Sequence, residues 1–573
     1  MTSPTIPGVR RFARIRRGER LLARGAFCLV LAFFVAIFSG LTSDLTAEAE
    51  FQTVSALGRG NGFSIGGTPE SEGLLANRPD DWTANWTDDQ GQEWSAAPMA
   101  QANTGEVLAS VPLYWLGKVI EALAPGADSQ EQRFASRTLG GFPRSEYFAH
   151  LLVGLRNPLL AALCVWLVVL CASRLGLSRT AAFVAGMGYG LCTYAMPLAR
   201  QPFGSIQATA LLLGAFYLIL TAREALERGR RPARHFLLIG GFSLGFAWMS
   251  QDDLGYAVGV LACTMWVVLV GGHRWLKELR IAKAEPAGQK SGQLQDLLLF
   301  TAPLLVLVAA GAGLNWMRFD SMLGPGKLAL GESVMAPSWA WASPGEFARL
   351  VVSPGGLLVL APLLLLVPWG FVLSDGRASR FSRNVIVLLT LAVVFGGGVA
   401  HPGAQPWTSG PVDLLPCMPF LVLVAAVALE RMRTTARGRF VTLALLVFGF
   451  LSNAGGVLVH PATFEQLATD FAGSTEAPID LPSMEFDHAA PWASWRIFRH
   501  RLAGLGEEFS AAEIFFGDPD LTLVANPETP PGQEHLTWLD MQRNLGAESW
   551  PIGVVLLLLI GQGIRLLLRS TDH

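Results

Sequence analysis

A chain of 573 residues that is 51% apolar, only 15% charged and of mean hydropathy +0.39 is too apolar for an ordinary soluble protein, and it carries repeated apolar runs of membrane length. All six cysteines (Cys28, Cys164, Cys171, Cys192, Cys263 and Cys417) fall inside those runs, which excludes a disulfide framework or a cysteine-based metal site. The net charge of −2 offers no basic footprint for nucleic acid, and it hides two faces of opposite sign.

A hydrocarbon core of about 30 Å takes roughly 20 helical residues per crossing. The apolar runs therefore predict an all-α polytopic membrane protein with about 12 transmembrane helices, near 24–43, 148–172, 180–198, 204–222, 236–251, 255–272, 297–315, 355–373, 385–402, 413–430, 440–459 and 551–568. The Arg-rich start before Gly25 to Gly40 reads as an uncleaved first span rather than a signal peptide, since no small-residue cleavage site follows it.

After this basic tail (1–23) the transmembrane domain is expected over 24–459, with a long first outer loop at 44–147. Two helices are expected in that loop, Ala47 to Leu57 behind a capping Thr46 and Glu106 to Ala122 lying in the interface. Pro79 to Ala97, with Trp82, Trp86 and Trp94 among polar residues, reads as irregular, and Asn85-Trp86-Thr87 matches a glycosylation sequon. A second outer loop is expected at 315–355, a polar segment outside the membrane at 460–550, and a last helix with a short tail at 551–573.

Charge tests this map independently, because Lys and Arg gather in cytoplasmic loops. With the N-terminus inside, the cytoplasmic face holds about 28 of the 43 Lys and Arg but about 9 of the 45 Asp and Glu. Both termini are thus expected in the cytoplasm of a bacterial cell bounded by this inner membrane, with an acidic outer surface.

Several pieces resemble, in order, the bacterial integral-membrane glycosyltransferases of the GT-C superfamily, which includes protein O-mannosyltransferases and aminoarabinose transferases. They are SVPLYWLGKVIEAL before span two, GLSRTAAFVAGMGYGLCTYAMPLARQPFGSIQATALLLGAFYLI (Gly176 to Ile219), NWMRFDSMLGPG (Asn315 to Gly326) and LVVSPGGLLVLAPLLLL (Leu350 to Leu366). The resemblance spans roughly 25 to 430 and implies a GT-C-like fold and a polyprenyl-phosphate sugar donor. It also implies an acidic catalytic residue soon after the first span, a position that Asp44 matches, with Glu48 and Glu50 behind it. The chain departs from the family at Gln201 to Ser205, where relatives carry an acid, at Gln251-Asp252-Asp253, where they carry Arg-Tyr, and at Val412-Asp413 in PWTSGPVD, where they carry an arginine.

Sugar transfer from such a donor needs a base for the acceptor hydroxyl and cations for the phosphate leaving group. Asp44, Glu48 and Glu50 are the catalytic candidates, Asp44 alone or through a divalent cation, magnesium or manganese. Their bland reading is as solvated acids at a helix end. Arg200, Arg318, Lys327 and Arg349 are the phosphate-binding candidates, because Arg holds a phosphate bidentately; snorkelling to headgroups is the alternative. Asp252, Asp253 and Trp407 are candidates to line a cavity, since carboxylates at membrane depth must face one or lie at the interface. His150, His401 and His460 map to outer ends of spans with no metal-motif spacing, and read as satisfied interfacial histidines.

The function expected is therefore transfer of a sugar from a polyprenyl-phosphate-linked donor to a lipid, glycan or protein acceptor at the outer face. Two other readings stay open: a catalytically degenerate GT-C-like scaffold or assembly factor, favoured by the departures, and a transporter, which the span count allows.

Overall fold

The computed structural model describes residues 7–38, 45–63, 103–123, 146–200, 204–228, 230–251, 254–281, 290–319, 356–373, 377–394, 412–458 and 550–571, with short pieces at 85–87, 93–95, 138–139, 142–143, 322, 351–352, 492 and 495–496. Within them the chain is a helical polytopic membrane protein. Among the described residues, each apolar run expected to cross the membrane is wholly or largely helical, and seven helices are long and apolar enough to do so.

The first, α1 (Pro7–Ile37), begins well before its apolar stretch. Its Arg, Ala, Leu and Glu are strong helix formers, so the expected tail continues the span as helix instead of leaving it at residue 24. Outside the apolar core come α2 (Leu45–Gly58) and α3 (Thr104–Leu123), close to the two loop helices that the sequence predicts. The stretch expected to be irregular differs: Asn85–Thr87 (β1) and Glu93–Ser95 (β2) pair antiparallel, with Trp86 opposite Trp94, as suits residues of high β-propensity.

From α4 (Tyr147–Gly154) the chain runs with one break into α5 (Arg156–Arg174), then α6 (Arg179–Leu191), the short α7 (Ala195–Leu198) and α8 (Ile206–Glu227). Next come α9 (Arg234–Ser250), α10 (Gly255–Ile281) and α11 (Lys290–Phe319). The eighth expected span is broken into α12 (Leu357–Leu360), a 3-10 turn at Pro362–Leu366 and α13 (Val367–Leu373), since Pro362 has no N–H to continue the helix before it. The series ends with α14 (Arg377–Val393), α15 (Met418–Met432), α16 (Ala436–Leu458) and α17 (Trp550–Thr571).

The main core is one apolar cluster. It joins α1 (Val30, Phe34), α5 (Val165, Val168), α6 (Tyr189), α8 (Leu212, Phe216) and α15 (Phe420, Leu423). A second, smaller cluster consists of Ala49, Phe51 and Val54 of α2, Val107, Val111 and Tyr114 of α3, and Ala149 and Val153 of α4. This small core clamps the two loop helices onto the start of the second long span. Gly117 lets α3 touch α4, since a Cβ there would stand 2.5 Å from the Ala149 Cα. The last helix lies along the first, where Gly25 and Gly563 face each other closely: a Cβ on Gly25 would stand 3.1 Å from the Gly563 carbonyl oxygen. Arg179 Nη1 adds a 2.9 Å bond to the Ser570 carbonyl.

Candidate functional site

The end of α1, the loop helices α2 and α3, the start of α4, the turn before α8 and the ends of α9 and α11 all meet at the end of the bundle away from the Arg-rich start of α1. Most of the buried ionisable groups of the described residues gather there, in three neighbouring centres.

The first is built on α2. Glu48 sits in the first turn of a helix whose next turns bury Phe51 and Val54, so packing of that face carries the carboxylate inward, to 4% exposure. Its oxygens lie 3.1 and 3.2 Å from His150 Nε2, and Gln52 Nε2 donates to Glu48 Oε1 at 2.9 Å. Phe51 stacks on the imidazole. His150 Nδ1 faces the Glu146 carbonyl at 3.2 Å, and a carbonyl can only accept, so Nδ1 carries a hydrogen. One further proton between Nε2 and the carboxylate satisfies both partners; without it, two sets of lone pairs oppose each other. The satisfied histidine expected here has its partners, and the fold supplies the main one from 102 residues away in the carboxylate of Glu48.

The second centre is Glu146, the residue before α4, which holds a left-handed backbone (φ 64°, ψ 49°) that is costly for a side chain of this kind. Ser55 Oγ and Tyr114 OH each donate to its carboxylate at 2.8 Å, Arg59 Nη2 lies at 2.9 Å and Lys118 Nζ at 3.6 Å. Burial pushes the Glu146 carboxyl up, but the hydrogen bonds from Arg59, Ser55 and Tyr114 and the Arg59 charge outweigh it and hold the group below the ordinary carboxylate range. This hub ties α2 and α3 to α4. Sequence reasoning missed it; the available signal was one acid directly before an apolar run, the commonplace of a helix start.

The third centre is Glu106 with Arg156. Arg156 Nη2 lies 3.1 Å from Glu106 Oε2, and Nη1 donates to the Glu106 carbonyl at 2.7 Å and to Ser110 Oγ at 2.6 Å. Gly204 N, in a turn whose φ of +124° requires glycine, donates to the same Oε2 at 3.1 Å. Burial raises the Glu106 carboxyl above its ordinary value; the Arg156 charge and these hydrogen bonds reverse only part of that rise. The two partners lie 50 residues apart, and nothing local in the sequence pairs them.

Of the other expected site residues, Arg318 ends α11 buried. Nη1 donates to Thr104 Oγ1 at 2.8 Å, Thr104 Oγ1 donates onward to Asn315 Oδ1 at 2.8 Å, and the guanidinium lies over the Phe63 ring. Glu50 is near enough for its charge to act on that guanidinium, so the fold brings together two residues singled out separately. Arg200 Nη1 donates to the Val457 carbonyl at 2.7 Å, which ties the turn after α7 to the end of α16. Asp44, Asp252, Asp253, Lys327, Arg349 and Trp407 lie outside the described residues.

The described residues do not fit a divalent cation. No three His, Cys, Asp or Glu side chains among them come together, and Glu48 turns both oxygens to an imidazole.

No known protein-family model matches the chain, and no characterised protein matches its sequence. Among solved structures, oligosaccharyltransferase AglB from Archaeoglobus fulgidus, in complex with an inhibitory peptide and a dolichol-phosphate, is similar at TM-score 0.40 and 12% identity over 82% of this chain and 59% of that one. The apo form of the Archaeoglobus fulgidus oligosaccharyltransferase gives 0.42 and 12% over 81% and 58%. ArnT from Cupriavidus metallidurans in the apo state gives 0.40 and 14% over 95% and 74%. The chain thus spans less than two thirds of the length of those oligosaccharyltransferase chains, and its function has to be argued from its own residues.

Proposed function

We propose that this protein is a membrane glycosyltransferase that moves a sugar from a polyprenyl-phosphate-linked donor to a hydroxyl of a lipid, glycan or protein acceptor, on the face opposite its basic start. The observation that carries the reading is the Glu48–His150 pair, a buried carboxylate on the helix that follows the first span within hydrogen-bond distance of an imidazole on α4. The acceptor oxygen bonds to the sugar's anomeric carbon, the bond from that carbon to the phosphate oxygen breaks, and polyprenyl phosphate leaves. The hydroxyl proton passes to the Glu48–His150 pair when that pair lacks its shared proton, which removes the opposition of lone pairs. Arg318, steadied by Thr104, supplies the charge that meets the leaving phosphate. Asp44 remains a proposed base on the strength of its position after the first span.

A deletion strain complemented with Glu48→Gln, Asp44→Asn and Arg318→Lys at matched expression tests this. Glu48→Gln keeps size and hydrogen bonding but not the charge, so transfer should fall by roughly 10² to 10⁴ in rate with normal membrane levels. Full restoration of the glycolipid or glycoprotein profile by all three variants would favour a scaffold instead.

A further inference from the structure

Where α3, α8 and α9 meet, three buried acceptor oxygens have no hydrogen-bond partner: Glu106 Oε1, Gln207 Oε1 and Gln251 Oε1, on residues 2%, 3% and 7% exposed. They belong to one junction. Gln207 Nε2 donates to the Gly105 carbonyl at 3.1 Å and to Ser250 Oγ at 2.7 Å, and Glu106 and Gln251 are the next residues after Gly105 and Ser250. Those donor bonds fix the amide, since turning it over would point Oε1 at a carbonyl that has nothing to donate. Gly105 allows the approach: a Cβ there would stand 2.6 Å from the Ser250 nitrogen. Gln251 ends α9 in an extended conformation (φ −162°, ψ 102°).

A buried acceptor left unmade is costly, and three at one junction ask for a ligand rich in donors. A cation is disfavoured, because the Glu106 carboxylate already carries Arg156 and the Gly204 N–H on Oε2. A neutral molecule with several O–H groups meets the requirement. We infer that Glu106, Gln207 and Gln251 form a subsite that accepts hydrogen bonds from the hydroxyls of a sugar ring, an inference that rests on the donor reading above. The subsite selects the sugar, whereas Glu48, His150 and Arg318 act on the bond being broken.

The experiment compares binding of a polyprenyl-phosphate hexose, a polyprenyl-phosphate pentose and bare polyprenyl phosphate to purified full-length protein, with Gln251→Met and Gln207→Met alongside. Gln251→Met removes an unpartnered oxygen and leaves the Glu106–Arg156 pair and the Gln207 bonds in place. Wild type should bind one sugar-bearing lipid roughly tenfold more tightly than the bare lipid, and Gln251→Met should lose most of that margin while holding the bare lipid equally well. Equal binding of all three lipids by wild type, or an unchanged margin in a folded Gln251→Met, overturns the subsite and leaves the donor reading standing. A more stable Gln251→Met with no sugar-dependent margin in either protein shows a buried water only, which also overturns it. Binding of none of the lipids overturns both.

Discussion

Replacing Arg156 with Met keeps a long apolar stem but takes the guanidinium from Glu106 Oε2, the Glu106 carbonyl and Ser110 Oγ, all in a setting where Arg156 and Glu106 are 4% and 2% exposed. The carboxylate then either stays charged in low dielectric or takes a proton. At pH 7, protonating a carboxyl of ordinary pKa near 4.3 costs about 3.7 kcal/mol, and that caps the charge penalty. Lost neutral hydrogen bonds add about 1 kcal/mol, so the expected destabilisation is about 3 to 5 kcal/mol, in the range for breaking a buried pair. The sign with pH follows. Burial already raises Glu106 in the folded protein, and losing Arg156 raises it further, so the cap falls as pH falls toward the unfolded value. At pH 5.5 it is about 1.6 kcal/mol, and the variant should recover at most about 2 kcal/mol relative to wild type, whose own raised Glu106 also gains as pH falls. Glu106→Gln with Arg156→Met leaves no charge to strand and should be the more stable of the two variants at pH 7. Unfolding by SDS titration in mixed micelles, followed by tryptophan fluorescence, measures all three proteins. An Arg156→Met protein within about 0.5 kcal/mol of wild type at pH 7, or a deficit that does not shrink at pH 5.5, would refute the reasoning.

Two further outcomes follow from the same region and from the charge map. Because hydrogen bonds hold Glu146 below its ordinary range, its contribution is present above the unfolded value, near 4.3, and is lost as pH falls through the lower folded one. Wild type should therefore exceed Glu146→Gln in thermal midpoint at pH 6.5 and lose that lead toward pH 3; a constant lead would contradict the hub. For topology, Asn61→Cys after α2 should react with a membrane-impermeant maleimide on intact cells, and Thr435→Cys in the Arg-rich turn between α15 and α16 only after permeabilisation. The opposite labelling would invert the map.

Helices were readable because their signal is local. Apolar runs of membrane length marked each long helix, and the capping Thr46 and the apolar run after Glu106 marked the two loop helices near their observed bounds. Partnership was not readable. Glu48 and Glu50 stood out as acids beside the first span, yet nothing near them in sequence names His150 or Arg318, and the fold supplies both. The same holds for Arg200, whose guanidinium donates to the Val457 carbonyl 257 residues away. The β1–β2 ribbon escaped notice because three-residue strands lie below the length at which alternation can be recognised.

The lodging of α17 along α1 has a consequence for biogenesis. About 510 residues separate the end of α1 from Trp550, so at 5 to 20 residues per second a ribosome takes roughly 25 to 100 s to deliver the second helix after the first is inserted. Through that interval the Gly25 side of α1 lies against lipid or the insertion machinery, and small residues there let another helix approach closely. A chain that stalls before Trp550 keeps that side open, where the α1 of a second stalled chain can dock in place of α17.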